Sequence, residues 1–300
     1  MEQHYCWRIA DRMITVDRPL VMGIVNVTPD SFSDGGKFFN PAAAIAHARR
    51  LADDGADILD IGGESTRPGA AIVEPDDELN RVIPAIEGIA RSCAIPISVD
   101  TSKSAVARRA VAAGAHIIND VTGLAGDPEM EQVAAETGAG VVVMHMQGNP
   151  RTMQIDPQYP DGVMPAIQRY FQQRLQSLAA GGIGPERVVL DPGIGFGKRS
   201  AHNWELLARL GEFRPLARPI CLGVSRKGLL GKLVDRPVQE RDPVSLAVAC
   251  FAIARCGPLI IRTHNVAATR DAIRVAERLG EFQCPGSSSS PGSLCSSPPG

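Results

Sequence analysis

The chain has 300 residues, 44% of them hydrophobic and 21% charged, with a formal net charge of −2 at pH 7. That balance suits a globular enzyme or binding protein, and so small a charge gives no general attraction to nucleic acid or to an anionic membrane. No apolar run of about 18 residues occurs and the opening MEQHYCWRIADRM lacks the apolar centre of a secretory signal, so a cytoplasmic location is expected.

In chain order, 5-YCWRIADRMITV-16 alternates loosely and predicts a hairpin. The apolar strand 20-LVMGIVN-26 follows, and runs into 26-NVTPDSFSDGG-36, which is longer and more polar than a connector requires. From there strands and helices alternate. Strands are predicted over 57–62, 96–101, 116–120, 140–146, 187–192, 219–224 and 259–264. Helices are predicted over 41–55, 76–91, 103–114, 127–138, 165–182, 201–211, 243–257 and 266–280; many begin at Asp, Asn, Ser or Pro and end at Gly. Strands this rich in Val, Ile and Leu are buried on both faces of a parallel sheet. Eight such units in about 260 residues predict a (β/α)8 TIM barrel, with the N-terminal hairpin closing its bottom. A doubly wound open sheet is the alternative; it usually has fewer units, and no GxGxxG follows the first strand.

A single domain is expected over residues 1–283, followed by a disordered tail, 284-CPGSSSSPGSLCSSPPG-300, with almost nothing to bury. The seven cysteines are scattered and form no Cys-x-x-Cys pair, which reads as reduced thiols and gives no zinc site.

In a barrel of this kind chemistry belongs at the C-terminal ends of the strands. Polar residues gather there one strand after another: Asn26, 60-DIGGESTRPGA-70, Asp100, Asn119 and Asp120, His145, 191-DPGIGFGK-198, 225-SRK-227 and 262-RTH-264. Any one of them could cap a helix, but eight converging on one rim point to a small-molecule site. Arg67, Arg226, Lys227, Arg262 and His264 form a cationic set suited to a di- or polyphosphate, and 225-SRKG-228 is predicted to open a helix whose free N–H groups would add to it. Asp60, Asp100, Asn119 and Asp191 form a second set, suited to a flat heterocycle whose N–H groups would satisfy buried carboxylates. A paired-carboxylate glycosidase is a rival reading, but it leaves the cationic set unused. His145 stands at a strand end with no partner that the sequence names.

The blocks 22-MGIVNVTPDSFSDGG-36 and 60-DIGGESTRPGA-70 resemble the two signatures of the dihydropteroate synthase family, and 98-SVDTSK-103, 117-IINDV-121, 144-MHMQGNP-150, 191-DPGIGFGK-198, 225-SRK-227 and 262-RTH-264 resemble further family blocks in the same order. The resemblance covers roughly residues 15–280. It implies a transferase of folate biosynthesis that joins 6-hydroxymethyl-7,8-dihydropterin diphosphate to 4-aminobenzoate, releasing pyrophosphate, with sulfonamides as competitors. It also implies Mg2+ as cofactor, a homodimer, and small molecules rather than nucleic acid or membrane as partners. Carried over by position, Asp100, Asn119, Met144, Asp191, Lys227 and Arg262 would hold the pterin. Asn26, Arg67, Arg262 and His264 would bind the diphosphate, Asn26 also ligating the metal. Phe32, Thr66, Arg67, Pro68, Phe196, Ser225 and Lys227 would shape the aminobenzoate site. Asp100, Asp191, Lys227 and Asp34 are the catalytic candidates, and the loops 28–36 and 64–69 would fold over the site. A methyltransferase acting on methyltetrahydrofolate, and a non-catalytic pterin-binding relative, are rival expectations; the first needs no cluster of cations for diphosphate, and the second could have lost the loop residues that are complete here.

Overall fold

The computed structural model describes residues 4–28, 40–66, 69–150 and 152–280. The chain opens with an antiparallel hairpin, β1 (Tyr5–Ile9) and β2 (Arg12–Val16). Eight parallel strands follow: β3 (Leu20–Asn26), β4 (Ile58–Gly62), β5 (Ile97–Asp100), β6 (Ile117–Asp120), β7 (Gly140–Met144), β8 (Val188–Asp191), β9 (Cys221–Leu222) and β10 (Ile260–Thr263). Their spatial order is β8-β7-β6-β5-β4-β3-β10-β9, and a bridge between Leu190 and Ile220, with the Leu190 N–H donating to the Pro219 carbonyl at 3.0 Å, joins the two edges into a barrel. The seam is thin, because β9 is only two residues long and meets β8 through that one bridge.

Helices fill the crossovers: α1 (Pro41–Asp53), α2 (Pro75–Ala90), α3 (Ser104–Ala112), α4 (Met130–Thr137), α5 (Val163–Ala180) and α6 (Ser200–Ala208). After β9 come two, α7 (Gly228–Val234) and α8 (Asp242–Cys256), and α9 (Val266–Gly280) follows β10. The start of α1 follows capping rules: Asn40 Oδ1 accepts from the N–H groups of Ala42 and Ala43, and Pro41 occupies the first turn. The expected helix at 225-SRKG-228 is α7, which begins at Gly228. Among the described residues no helix is long and apolar enough to cross a membrane.

Two apolar layers result. The outer one packs helices against the barrel wall, with Val21, Leu59, Val99, Ile118, Val141 and Leu190 facing outward. The inner one fills the lower barrel with Met22, Ile58, Ile117, Val142, Val189, Cys221 and Ile260. The hairpin seals this end as expected: Trp7, Ile9 and Val16 join the inner cluster, and the Trp7 indole N–H donates to the Arg187 carbonyl at 2.9 Å. The tail expected over 284–300 lies outside the described residues.

Candidate active site

Strand alternation carries the inner layer upward into the site. Side chains two residues apart share a face. Ile58 is therefore followed on the inner face by Asp60, Ile117 by Asn119, Val142 by Met144, Val189 by Asp191 and Ile260 by Arg262. Pairing sets these residues side by side: Asp100 is in register with Asn119, Met144 with Asp191, and Asn26 with Gly62.

Arg262 organises the acidic side of the mouth. Its Nε donates to Asp60 Oδ2 at 2.6 Å and its Nη2 to Asp100 Oδ2 at 2.7 Å, while Asn119 Nδ2 donates to Asp60 Oδ2 at 3.1 Å. Asp60 is fully buried and Asp100 nearly so. The other oxygens, Asp60 Oδ1 and Asp100 Oδ1, are buried with no hydrogen-bond partner among the described residues. Burial pushes the Asp100 carboxyl up to about 7, against the pull of the Arg262 guanidinium. Buried acceptors without donors are costly, so these two oxygens at the barrel mouth are suited to accept N–H groups.

Asp191 lies across the mouth. Its Oδ1 accepts the Gly193 N–H at 2.7 Å, and burial raises its pKa although that hydrogen bond and Lys227 oppose the rise. Lys227 Nζ stands 4.1 Å from the centre of the Phe196 ring, and burial lowers the amine to about 8 against the attraction of Asp191. Phe196 belongs to an apolar patch with Val121, Met144 and Met153. The mouth thus has a polar wall beside an apolar one, as a flat aromatic ligand with a hydrogen-bonding edge requires.

The third region is the end of β10. Ser225 Oγ lies 2.9 Å from His264 Nδ1 and accepts the His264 backbone N–H at 3.2 Å. Arg226 departs from expectation. It adopts left-handed backbone (φ 57°) and forms a fork with Asp242, Nε to Oδ1 at 2.7 Å and Nη2 to Oδ2 at 2.9 Å. It clamps α8 rather than joining the cationic set, and the turn it makes hands the chain to Lys227 at the head of α7.

The loop base after β4 is fixed by ions. Lys103 Nζ donates to Glu64 Oε2 at 2.6 Å and to the fully buried Glu78 Oε2 at 2.5 Å, and Glu64 Oε1 accepts the Val73 N–H at 2.9 Å. Thr66 is half-buried beyond it. Phe32, Asp34, Arg67 and Pro68, and with them the expected closing of the two loops, lie outside the described residues.

Sequence reasoning left His145 unpaired and passed over Lys198. Lys198 is 2% exposed and its Nζ has four acceptors: His145 Nδ1 at 3.0 Å, His145 O at 3.1 Å, Gly193 O at 2.9 Å and Phe196 O at 2.9 Å. Burial, with Lys198 beside it, drives the His145 imidazole down to about 2, so it is neutral, and with its proton on Nε2 it accepts from Lys198 at Nδ1. The only signal in the sequence was a lysine closing a glycine-rich loop, 193-GIGFGK-198.

A parallel barrel closed below by a hairpin, with buried carboxylates, an apolar wall and cationic groups at its upper rim, is the arrangement of a small-molecule enzyme. The pterin binding enzyme family matches the chain over residues 22–264. The chain is 49% identical over 264 residues to the dihydropteroate synthase of Escherichia coli strain K12, covering 88% of this chain and 93% of that one. Its fold is similar to the Yersinia pestis dihydropteroate synthase solved with a sulfonamide drug complex (TM-score 0.86, 44% identity, 93% of this chain and 100% of that one). It is also similar to the Xanthomonas albilineans dihydropteroate synthase solved with 4-aminobenzoic acid (TM-score 0.85, 46% identity, 93% of this chain and 100% of that one). The chain belongs to the pterin binding enzymes and, within them, to the dihydropteroate synthases.

Proposed function

We propose that the chain condenses 6-hydroxymethyl-7,8-dihydropterin diphosphate with 4-aminobenzoate, giving 7,8-dihydropteroate and pyrophosphate. The observation that carries this reading is the pair of donor-seeking oxygens, Asp60 Oδ1 and Asp100 Oδ1, beside the Phe196–Lys227 wall. In the reaction the C–O bond between the pterin methylene and the diphosphate breaks, a C–N bond forms to the amine, and the amine gives up one proton. No covalent nucleophile is needed.

Asp60, Asp100, Asn119, Asp191 and Lys227 are assigned to the hydrogen-bonding edge of the pterin, with Met144 and Arg262 beside the ring. The carboxylates stabilise positive charge that spreads into the ring as the C–O bond breaks early. Scrambling of the bridging oxygen in bound substrate, with an unreactive aminobenzoate analogue present, tests that order; no scrambling would count against it. Asn26, Arg67, Arg262 and His264 are assigned to the diphosphate. Phe196, Ser225, Lys227, Thr66, Phe32 and Pro68 are assigned to aminobenzoate, with Asp34 kept as a catalytic candidate on the first loop.

Mg2+ fits this arrangement in one way. Among the described residues no group of three His, Cys, Asp or Glu could hold a metal, but Mg2+ commonly takes one or two protein ligands and completes its shell with substrate phosphates and water. The Asn26 amide oxygen would be such a ligand, and the ion would supply charge neutralisation for the leaving diphosphate. A homodimer located in the cytoplasm is part of the same reading: Phe251 on α8 and Val275 and Leu279 on the adjacent α9 are exposed apolar side chains that a second copy could cover.

The test is pyrophosphate release by the purified protein with the pterin diphosphate and Mg2+, with and without 4-aminobenzoate. Release that depends on aminobenzoate is expected. Tight pterin binding without release would instead favour a non-catalytic pterin-binding protein.

A further inference from the structure

We infer that Lys198 is a positioning residue for the aminobenzoate side of the site, acting through the loop that carries Phe196. This rests on the reading that Phe196 lines the aminobenzoate position. Three carbonyls from two loops converge on one ammonium: His145 O from the end of β7, and Gly193 O and Phe196 O from the loop after β8. Burial lowers the Lys198 amine to about 7 against the attraction of Asp191, but a neutral amine has two protons for its four acceptors and an ammonium has three, so the cage of acceptors favours the charged form.

The glycines show how close the two loops lie. Gly193 (φ 67°) and Gly197 (φ 60°) are in left-handed backbone, and a Cβ would strike the His145 carbonyl at the first and the Gln147 backbone at the second. Carbonyl dipoles brought this near one another repel, and a cation at their focus offsets that repulsion. Two further bonds clasp the same loop from outside, Gln154 Nε2 to Gly195 O and Tyr159 OH to Gly197 O, each at 2.7 Å.

The loop delivers two things. It sets the Phe196 ring under the Lys227 ammonium at 4.1 Å, and it turns the Gly193 N–H onto Asp191 at 2.7 Å. Asp60, Asp100, Asn119 and Arg262, on β4, β5, β6 and β10, are tied to one another by bonds that do not involve Lys198. Loosening the loop should therefore be felt first where Phe196 faces the second substrate.

The experiment measures the KM for 4-aminobenzoate, kcat, and the Kd for the pterin diphosphate in the full-length protein with Mg2+. Lys198→Met is expected to raise the aminobenzoate KM about 10-fold while the pterin Kd stays within about 2-fold. Lys198→Gln, which keeps two donors and drops the charge, is expected to recover part of that KM. In the background Phe196→Ala, Lys198→Met is expected to add little, because both act through one ring. A purely structural role would lower the fraction of active enzyme, hence the apparent kcat, and leave KM where it was.

Should Lys198→Met not fold, Gln154→Ala removes a clasp on the same loop from an exposed position, with an expected rise of about 3-fold in the aminobenzoate KM alone. Equal rises in the aminobenzoate KM and the pterin Kd, no rise in the former, or full additivity with Phe196→Ala would each overturn the inference. An unchanged aminobenzoate KM in Phe196→Ala by itself would overturn the placement of that substrate too, so failure of the underlying reading shows separately.

Discussion

Asp100 carries the clearest titration in the site. A ligand that brings N–H groups prefers the carboxylate, whereas burial raises the free enzyme's pKa from 3.8 to about 7. Binding must then expel a proton below that value, so pterin affinity should be full above about pH 7 and fall toward tenfold per unit below it. Calorimetry in two buffers of different ionisation heat should show proton release at about pH 6; no release there would mean that Asp100 is ionised before the ligand arrives. Arg262 is the counterpart. Arg262→Met leaves two buried carboxylates without their cation and is expected to cost about 3–5 kcal/mol in denaturant melts, partly recovered when Asp100→Asn is added. At this scale the sequence was readable where residue type and strand end coincided: Asp60, Asp100, Asn119, Asp191 and Arg262 all face the mouth. It was not readable where a side chain's direction depends on distant partners. Arg226 turns away because Asp242, 16 residues on, offers it a fork, and Lys198 finds His145 from 53 residues away.

Among the elements, the N-terminal hairpin should serve stability alone. Trp7 is fully buried in the inner cluster, with an apolar layer between it and the mouth. Trp7→Ala is expected to cost about 3–5 kcal/mol, read as a lower Tm, with kcat/KM unchanged for the folded fraction. A large fall in kcat/KM at full folding would show that the plug is coupled to the site. The eight barrel strands were legible because β-branched apolar runs signal them strongly, whereas the hairpin showed only a loose alternation. The boundaries were less so. The run 219–224 suggested a six-residue strand, yet only Cys221–Leu222 pair regularly. The reason lies in the chain beyond it: Gly223 and the left-handed turn at Arg226 lead the backbone out of the ladder to present Ser225 and Lys227.

For the molecule as a whole, the exposed Phe251, Val275 and Leu279 are the place to test self-association. Phe251→Asp is expected to shift the sedimenting species from dimer to monomer; an unchanged monomer in the parent protein would remove the dimer from the reading. The barrel's thin seam has a further consequence, in the rate at which the molecule breathes. A closed sheet opens where fewest bonds must break, and here that is between β8 and β9. The amide of Leu190, which donates across the seam to the Pro219 carbonyl, should therefore exchange with deuterated water sooner than those of β4 or β6. Asp191 stands on one lip of that seam, and Ser225 and Lys227 lie just beyond the other. A substrate touching both lips would staple the gap, and slowed exchange at Leu190 on adding the pterin diphosphate would record it, linking the barrel's weakest join to the occupancy of its mouth.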